Sequence, residues 1–392
     1  MKVLLVKMSS LGDVVHALPA VTDAARAGVR FHWVVEEAFQ AVPAAHPAVK
    51  KVLPIAWRRW RRGLWRSRGE VRAFFGNLSG ERYDLAIDSQ GLVKSALAMK
   101  GARCGERVGF CRNSAREPIA ARFYDRCVEV AKEGHAVDRQ RQLFAGALDY
   151  ACDTASGVDF GLGRDGIGLS AGGIGQSGGG VSQSGGGTGQ PGGGMGRSGG
   201  GVVESGRSPD PGREPGASRC VFLHGATWPT KLYPEAMWIV LARLARAAGL
   251  EVALPWGNGE ERGRAGRIAE ASGATLFPRL DLGELMDEFR RARVVVGVDS
   301  GLAHLAGALG VPTVVMYGST DSALTGCRGS GAHNLQADFA CSPCRSRICR
   351  YRGSEVRWRQ AAVTPPCYGE LDPERVWSAA LETMDADRLL HI

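Results

Sequence analysis

VVVGVDSGLAHLAGALGVPTVVMY, residues 294–317, decides how the rest of the chain is read. Val294, Val295 and Val296 form a β-branched run of the kind used by a strand buried on both faces. The pattern breaks at Gly297-Val298-Asp299-Ser300-Gly301. Leu302, Leu305, Ala306 and Leu309 then recur at helical spacing until Gly310 and Pro312 stop them. Thr313 to Tyr317 reads as a second strand. The pieces make a βαβ unit whose first turn sets an acid, a hydroxyl and two glycines at a helix N-terminus. Free N–H groups and the helix dipole favour phosphate there, so a nucleotide diphosphate is the expected guest.

Upstream of this unit, residues 220–224 (CVFLH) read as another buried strand, followed by Gly225-Ala226-Thr227 and Lys231. A helix carrying Trp238, Leu241 and Leu244 leads to a strand at 251–254 that ends in Pro255-Trp256-Gly257, and residues 281–291 are helical. Residues 219–372 are therefore expected to form a Rossmann-like α/β domain, and a last helix in 373–392 is expected to pack back on the first half. At the other end of the chain, KVLLVK (residues 2–7) alternates like a first strand. Met8-Ser9-Ser10-Leu11-Gly12-Asp13 turns it into a helix carrying Val14, Leu18 and Val21. Further strands are expected at 31–35, 52–55 and 83–88, the last entering Ser89-Gln90-Gly91 and a helix through Leu97. Residues 1–160 thus read as a second Rossmann-like domain. Between the two, residues 161–218 are QSGGG-like and hold 24 of the 55 glycines, too little apolar surface to offset backbone entropy, so a disordered, flexible insert is expected.

The chain of 392 residues is long enough for two cores, and no run of about 18 apolar residues is present to span a membrane. The start, MKVLLVKMSS, has only four apolar residues between Lys2 and Lys7, too few for a signal-peptide core, and the reading is a cytoplasmic protein. Its ten cysteines are then expected to stay reduced. The formal charge of +9 is concentrated in WRRWRRGLWRSRGEVR (residues 57–72), where seven arginines face one glutamate and interleave with Trp57, Trp60 and Trp65. Such a run points to an acidic partner: nucleic acid, anionic lipid, or a sugar rich in carboxylate and phosphate.

Asp13 sits where a helix begins, at the carboxyl end of the first strand, where ligands bind in open α/β sheets. It can complement the helix dipole or act as a general base toward a substrate hydroxyl, and both readings stay open. Thr227, Lys231, Glu260 or Glu261, Asp299, Ser300, Gly301 and His304 all follow strands, which lines them along one sheet edge. A lysine and backbone N–H groups suit a diphosphate, and a glutamate after a strand suits ribose hydroxyls. No G-x-G-x-x-G or Walker A sequence is present, which argues against a dinucleotide oxidoreductase or a P-loop ATPase.

These residues resemble a known family, the lipopolysaccharide heptosyltransferases. The matching pieces are KMSSLGDVVHALPA (7–20), WVVEE (33–37), the RRWRR run, DSQGLVKSA (88–96), AREP (115–118), PWG (255–257) and VDSGLAHLAGAL (298–309). QGLVKSA together with SSLGDVVHALP is similar to the branch that adds the first heptose. The resemblance implies two Rossmann-like domains of GT-B type facing a central cleft. It implies an inverting, metal-independent transfer of heptose from ADP-L-glycero-β-D-manno-heptose to the Kdo of Kdo-lipid A, at the cytoplasmic face of the inner membrane.

By the same resemblance, Asp13 is the general base, and Lys231 stabilises departing ADP. Thr227, Glu261, Asp299, Ser300, Gly301 and His304 are donor-site positions. Arg58, Arg59, Arg61 and Arg62 form a mobile basic segment, with Lys94 and Arg116 beside it on the acceptor side. No cofactor is implied.

Two features are not covered. One is the glycine-rich insert, where the family has an interdomain connection. The other is Cys341-x2-Cys344-x4-Cys349 with Cys367 beyond, whose first spacing suits structural zinc and whose remainder is irregular, so zinc and free thiols both stay open. The Trp/Arg run is also expected to touch the membrane surface, tryptophans at the headgroups and arginines on phosphates. Competing readings are another heptosyltransferase of the family, a nucleotide-sugar 2-epimerase of similar fold, which has no use for an arginine-rich acceptor segment, and a nucleic-acid-binding protein. For the last, the basic run is read as a loop inside an α/β domain, no recognition module is evident, and no nucleic-acid partner is expected.

Overall fold

The computed structural model describes residues 1–155, 157–163 and 218–390. Most of the glycine-rich stretch, from 164 to 217, lies outside the described residues.

The N-terminal half carries strands β1 (Lys2–Val6), β2 (Arg30–Glu36), β3 (Val49–Ile55), β4 (Arg82–Asp88), β5 (Arg103–Phe110) and β6 (Arg126–Val128). Its helices are α1 (Leu11–Arg26), α2 (Ala41–Ala44), α3 (Trp57–Trp60), α4 (Leu64–Ser79), α5 (Val93–Lys100) and α6 (Ala136–Leu148). The C-terminal half carries β7 (Arg219–Leu223), β8 (Glu251–Leu254), β9 (Thr275–Leu276), β10 (Ala292–Val298), β11 (Thr313–Tyr317) and β12 (Ala332–Gln336). Its helices are α7 (Glu235–Ala247), α8 (Gly259–Ser272), α9 (Leu282–Arg291), α10 (Gly301–Ala308), α11 (Ser322–Thr325) and α12 (Pro373–Leu390).

Each half builds a six-stranded parallel sheet, ordered β3-β2-β1-β4-β5-β6 in the first and β12-β11-β10-β7-β8-β9 in the second. Both have the same winding, with the chain order reversing beside the first strand of each half. Crevices at the carboxyl ends of strands flanking such a reversal are where α/β sheets take ligands.

The valine run behaves as a strand covered on both faces. Val294, Val296 and Val298 enter one buried cluster and Val295 another, because successive side chains point to opposite sides. In β1, Val3 and Leu5 likewise face α1 and α6, while Leu4 and Val6 join a cluster under α3, α4 and α5. The halves meet where α1 packs on α10, and one apolar cluster runs through both. Gly301 makes this possible: a Cβ there would stand 2.7 Å from Leu11 Cβ and 2.9 Å from the Gly12 nitrogen.

Three expectations are corrected. Helix α12 does not pack back on the N-terminal half but on α7 and the second sheet, because Val376, Trp377, Ala380 and Met384 present their apolar face to the core there. The Trp/Arg run is not a loop: it forms α3 and the start of α4, with Trp60 buried against Phe74. The ten cysteines are not all free. Cys111 and Cys127 are bonded, because the parallel register of β5 and β6, extended by Cys111 N–H to Val128 O (2.9 Å), brings their Cα atoms to 4.8 Å. Among the described residues no helix is long and apolar enough to cross a membrane.

Candidate functional site

The turn between β1 and α1 places Asp13 in the first helical turn, where Ser10 N–H (2.7 Å) and Ser10 Oγ (3.0 Å) both donate to Asp13 Oδ2. That turn is held from β4. Gln90 Oε1 accepts from Met8 N–H (2.7 Å) and Ser9 N–H (3.1 Å), while Gln90 Nε2 donates to Ser9 O. An amide can do both at once; a carboxylate cannot. Gln90 follows Asp88, whose buried carboxylate accepts from Ser95 Oγ, Tyr124 Oη and the Gln90 and Gly91 N–H groups.

On the second sheet, Asp299 ends β10 and Lys231 lies in the loop after β7, and the two meet as an ion pair of 2.6 Å. His304, one turn into α10, donates to Asp299 Oδ1 at 3.3 Å. Burial alone raises the Asp299 carboxyl pKa, but His304 and Lys231 together outweigh it and hold the group below the usual carboxylate range. Ser300 caps α10 by accepting from Ala303 N–H (3.3 Å). Glu261, in the first turn of α8, accepts from Gly257 N–H (2.7 Å), its carboxylate lying against Gly225 and Gly257. Thr227 is exposed in the loop after β7. The expected donor residues Lys231, Asp299, Ser300, Gly301 and His304 are thus brought together, with Glu261 in the helix that follows the neighbouring strand β8.

The two sheets communicate directly. His16, one turn after Asp13 on α1, packs edge-on against His304 with ring centroids 4.6 Å apart, and among the described residues its buried Nε2 has no hydrogen-bond partner. Burial, reinforced by His304 and His135, depresses the His16 pKa well below its ordinary value. His135 Nε2 donates to Gly326 O (3.0 Å), and Arg328 pairs bidentately with Asp138 at 2.6 and 2.8 Å, both across the same junction.

Of the basic residues, Arg58, Arg61 and Arg116 lie around Lys94 closely enough to depress its pKa, behind burial as the main cause and against the opposing pull of Glu36. Lys94 Nζ also donates to Ser9 Oγ (3.1 Å). Arg59 does not share this role: it is tied to Glu37 (3.1 Å) and Glu70 (2.8 Å). Arg62 is exposed and is not drawn into the group. Beside Asp13 opens a cavity of about 420 Å³ lined by Lys7, Ser89, Gln90, Arg116, Arg139 and Gln140 among others. Apart from Arg116, none of these was singled out as a ligand-binding residue from sequence; Lys7 stands immediately after β1.

The cysteine segment folds against the loop that carries Lys231. Thr230 Oγ1 donates to Ser346 O (2.6 Å), and Lys231 and Arg347 lie over the Trp228 ring at 4.8 and 5.1 Å. Cys341 and Cys344 are exposed, Cys349 is half-buried and Cys367 is buried. Cys341, Cys344 and Cys349 all lie near enough to Cys367 to help burial raise its thiol pKa, burial being the main cause.

Two like-wound parallel sheets, one presenting a carboxylate and the other a lysine and a helix N-terminus, are the architecture of the two-lobed GT-B class. The sequence profile of glycosyltransferase family 9 (heptosyltransferase) matches residues 71–162 and 212–354. Lipopolysaccharide heptosyltransferase 1 of Pseudomonas aeruginosa is 43% identical over 392 residues, 98% of each chain. Among solved structures, E. coli heptosyltransferase WaaC with ADP matches at a TM-score of 0.70 and 35% identity, covering 86% of this chain and 93% of that one. The same enzyme with ADP-2-deoxy-2-fluoro heptose matches at a TM-score of 0.67 with the same identity and coverage. The chain belongs to glycosyltransferase family 9, the heptosyltransferases. The epimerase and nucleic-acid readings are not favoured.

Proposed function

We propose that the protein transfers L-glycero-D-manno-heptose from ADP-heptose to the Kdo of Kdo-lipid A, with inversion at the anomeric carbon. The observation that carries this is the placement of Asp13 and the Lys231–Asp299–His304 group at the ends of adjoining sheets, joined by the His16–His304 contact. Asp13 takes the proton from the acceptor hydroxyl as its oxygen bonds to the anomeric carbon. A positioned base contributes about 10²–10⁴-fold. The bond from that carbon to the β-phosphate oxygen breaks, and ADP leaves against Lys231 and the N–H groups of Ser300 and Gly301.

Asp299 and His304 hold Lys231 in place, and Thr227 and Glu261 bind the donor's phosphate and ribose ends. Arg58, Arg61, Arg62, Lys94 and Arg116 meet the acceptor's anionic groups; we leave Arg59 out because two carboxylates already engage it. This reading requires no metal ion, since lysine and helix N–H groups supply the positive field for the diphosphate.

An amphiphilic acceptor places the enzyme at the cytoplasmic face of the inner membrane as a peripheral protein. Of the three tryptophans in the basic run, Trp60 is buried and Trp65 is 85% exposed, so Trp65 is the side chain we assign to the headgroup region.

Incubation with ADP-heptose and Kdo-lipid A, read by mass spectrometry, tests the proposal. Heptosylated lipid should form with the wild type and fall steeply with Asp13→Asn. Absence of product from a wild type that binds ADP-heptose overturns it.

A further inference from the structure

We propose that Cys341, Cys344, Cys349 and Cys367 form a structural site for one thiophilic divalent metal ion of the zinc class, which braces the loop carrying Lys231. The site stands apart from sugar transfer and does not depend on which acceptor is used.

Eight cysteines are free, and these four fall within residues 341–367, on a segment with few other means of holding itself in place. From 337 to 356, between β12 and the short strand Arg357–Trp358, the chain forms neither helix nor strand. Phe339 and Tyr351 pack edge to face at 5.2 Å, but Ile348 is 73% exposed. A stretch of this kind buries too little apolar surface to offset its ordering entropy, and small elements of that sort are commonly fixed by disulfides or a metal.

The first two cysteines flank a turn built over the end of β11. Ser342, between Cys341 and Cys344, donates through N–H to Phe339 O (2.7 Å) and through Oγ to Gly318 O (2.7 Å), and its Oγ accepts from Gln336 Nε2 (3.1 Å). Arg345 N–H donates to Ser319 O (2.6 Å), and Arg345 itself is left-handed at φ 51°. The x2 spacing of two cysteines on a tight turn is a common way of presenting two thiolates to one ion.

Cys367 comes to the same place from further along the chain. Its Sγ lies so close to Gly318 that a Cβ there would stand 3.0 Å from it. One glycine thus touches the Cys367 sulfur and, through its carbonyl, the turn between Cys341 and Cys344. Cys349 completes the set, since it, Cys341 and Cys344 are each near enough for their charge to be felt at Cys367.

As they stand, no three of the described His, Cys, Asp or Glu side chains are gathered to ligand distance. Cys341 and Cys344 are exposed and Cys349 is half-buried, so their sulfurs are free to turn toward buried Cys367 and reach the about 2.3 Å of a zinc–thiolate bond. Each thiol gives its proton to solvent as it ligates. Thiolate ligands select zinc-class ions over magnesium or calcium. Four of them around a divalent ion leave negative charge, and cations are at hand to balance it. Arg357 and Arg359 pair with Glu355 and Glu374, whereas among the described residues Arg345, Arg347 and Arg350 pair with no carboxylate.

The segment is tied to the Lys231 loop at three points. Thr230 Oγ1 donates to Ser346 O (2.6 Å), Arg347 lies over the Trp228 ring at 5.1 Å, and Tyr368 Oη, beside Cys367, donates to Lys231 O (2.8 Å). Loss of the ion should therefore loosen residues 228–232.

The test is the metal content of the full chain, purified with reductant and without chelator. The wild type should carry about one transition-metal ion per chain by elemental mass spectrometry. Cys344→Ser and Cys367→Ser should hold less than about a tenth of that, while Cys104→Ser, in the other half, keeps it in full. Cobalt exchanged into the wild type should give the visible absorption of a tetrahedral four-thiolate centre. Stripping the ion should lower the thermal midpoint by about 5–10 °C and speed hydrogen exchange in 228–232. Cys367 is buried, and if Cys367→Ser does not fold, the exposed Cys344→Ser decides.

A reduced wild type that neither carries metal nor takes up zinc offered at equal concentration would overturn the proposal. So would full metal content in Cys344→Ser, an octahedral cobalt spectrum, or disulfides among the four thiols found by mass after alkylation. Unchanged exchange in 228–232 on stripping the ion would overturn the bracing role.

Discussion

Lys231 Nζ lies 2.6 Å from Asp299 Oδ2, joining the loop after β7 to the turn after β10 at the centre of the second sheet. Asp299 is 4% exposed, so the pair is a structural tie between the two segments. Lys231→Ala should lower kcat by about 10²-fold or more, the scale of removing one preorganised oxyanion donor. It should also lower the thermal midpoint, since Asp299 would keep only His304 as an ionic neighbour. Steady-state kinetics and a melting curve on the same preparation check both.

Asp13→Asn should retain the fold and donor binding while kcat drops about 10²–10⁴-fold, because only proton transfer is removed. Ser10→Ala, which deletes one of two hydrogen bonds to Asp13 Oδ2, should cost far less. Equal losses in the two variants would mean that the turn, and not the carboxylate, is what matters.

Gly301→Ala should separate the sheets. An added Cβ meets Leu11 Cβ at 2.7 Å and the Gly12 nitrogen at 2.9 Å, and backbone cannot swing aside as a flexible side chain can. Overpacking of this kind costs about 1–3 kcal/mol, and α1 with Asp13 would be displaced from α10. The expected readout is a fall in kcat larger than the change in donor affinity, measured by calorimetry with ADP.

Acid should destabilise the protein well before its carboxylates titrate. Burial pushes His46, His135 and His224 down to about 4. Their folded pKa lies below the unfolded value near 6.5, so between those two values the unfolded chain binds protons that the folded chain does not. Stability is therefore fully present above about pH 6.5 and is lost as pH falls toward 4, by up to ~1.4 kcal/mol per pH unit for each histidine. Urea midpoints across this window measure the slope. His135→Gln should make it shallower by about one proton.

Trp65→Ser should weaken co-sedimentation with vesicles containing anionic lipid while leaving heptosyl transfer to a detergent-solubilised acceptor intact. Trp60→Ser should unfold α3 and α4 instead, since Trp60 is buried and its Nε1 donates to Glu70 at 3.0 Å. Undiminished vesicle binding by Trp65→Ser would remove the headgroup assignment.

The order of elements was written locally and could be read directly. Val294 to Val296, the stop at Gly310 and Pro312, and the alternation of residues 2–7 are short-range patterns, and the strands at 251–254 and 313–317 fall where they were expected. Edge strand β12, AHNLQ, carries no such pattern and was not anticipated, because an edge strand is held by its neighbour and not by its own burial. The Asp299-Ser300-Gly301 turn was legible for the same local reason: an acid, a cap and a glycine must lie in sequence where a helix begins.

What the tertiary structure alone decided was how separate turns combine. Gln90 holding the Asp13 turn, His16 against His304, Cys111 bonded to Cys127 and α12 on its own sheet each join residues whose encounter depends on strand order. So does the division of the basic run into a buried Trp60, a committed Arg59 and an exposed Trp65. Composition counts charges, but only packing determines which are already compensated.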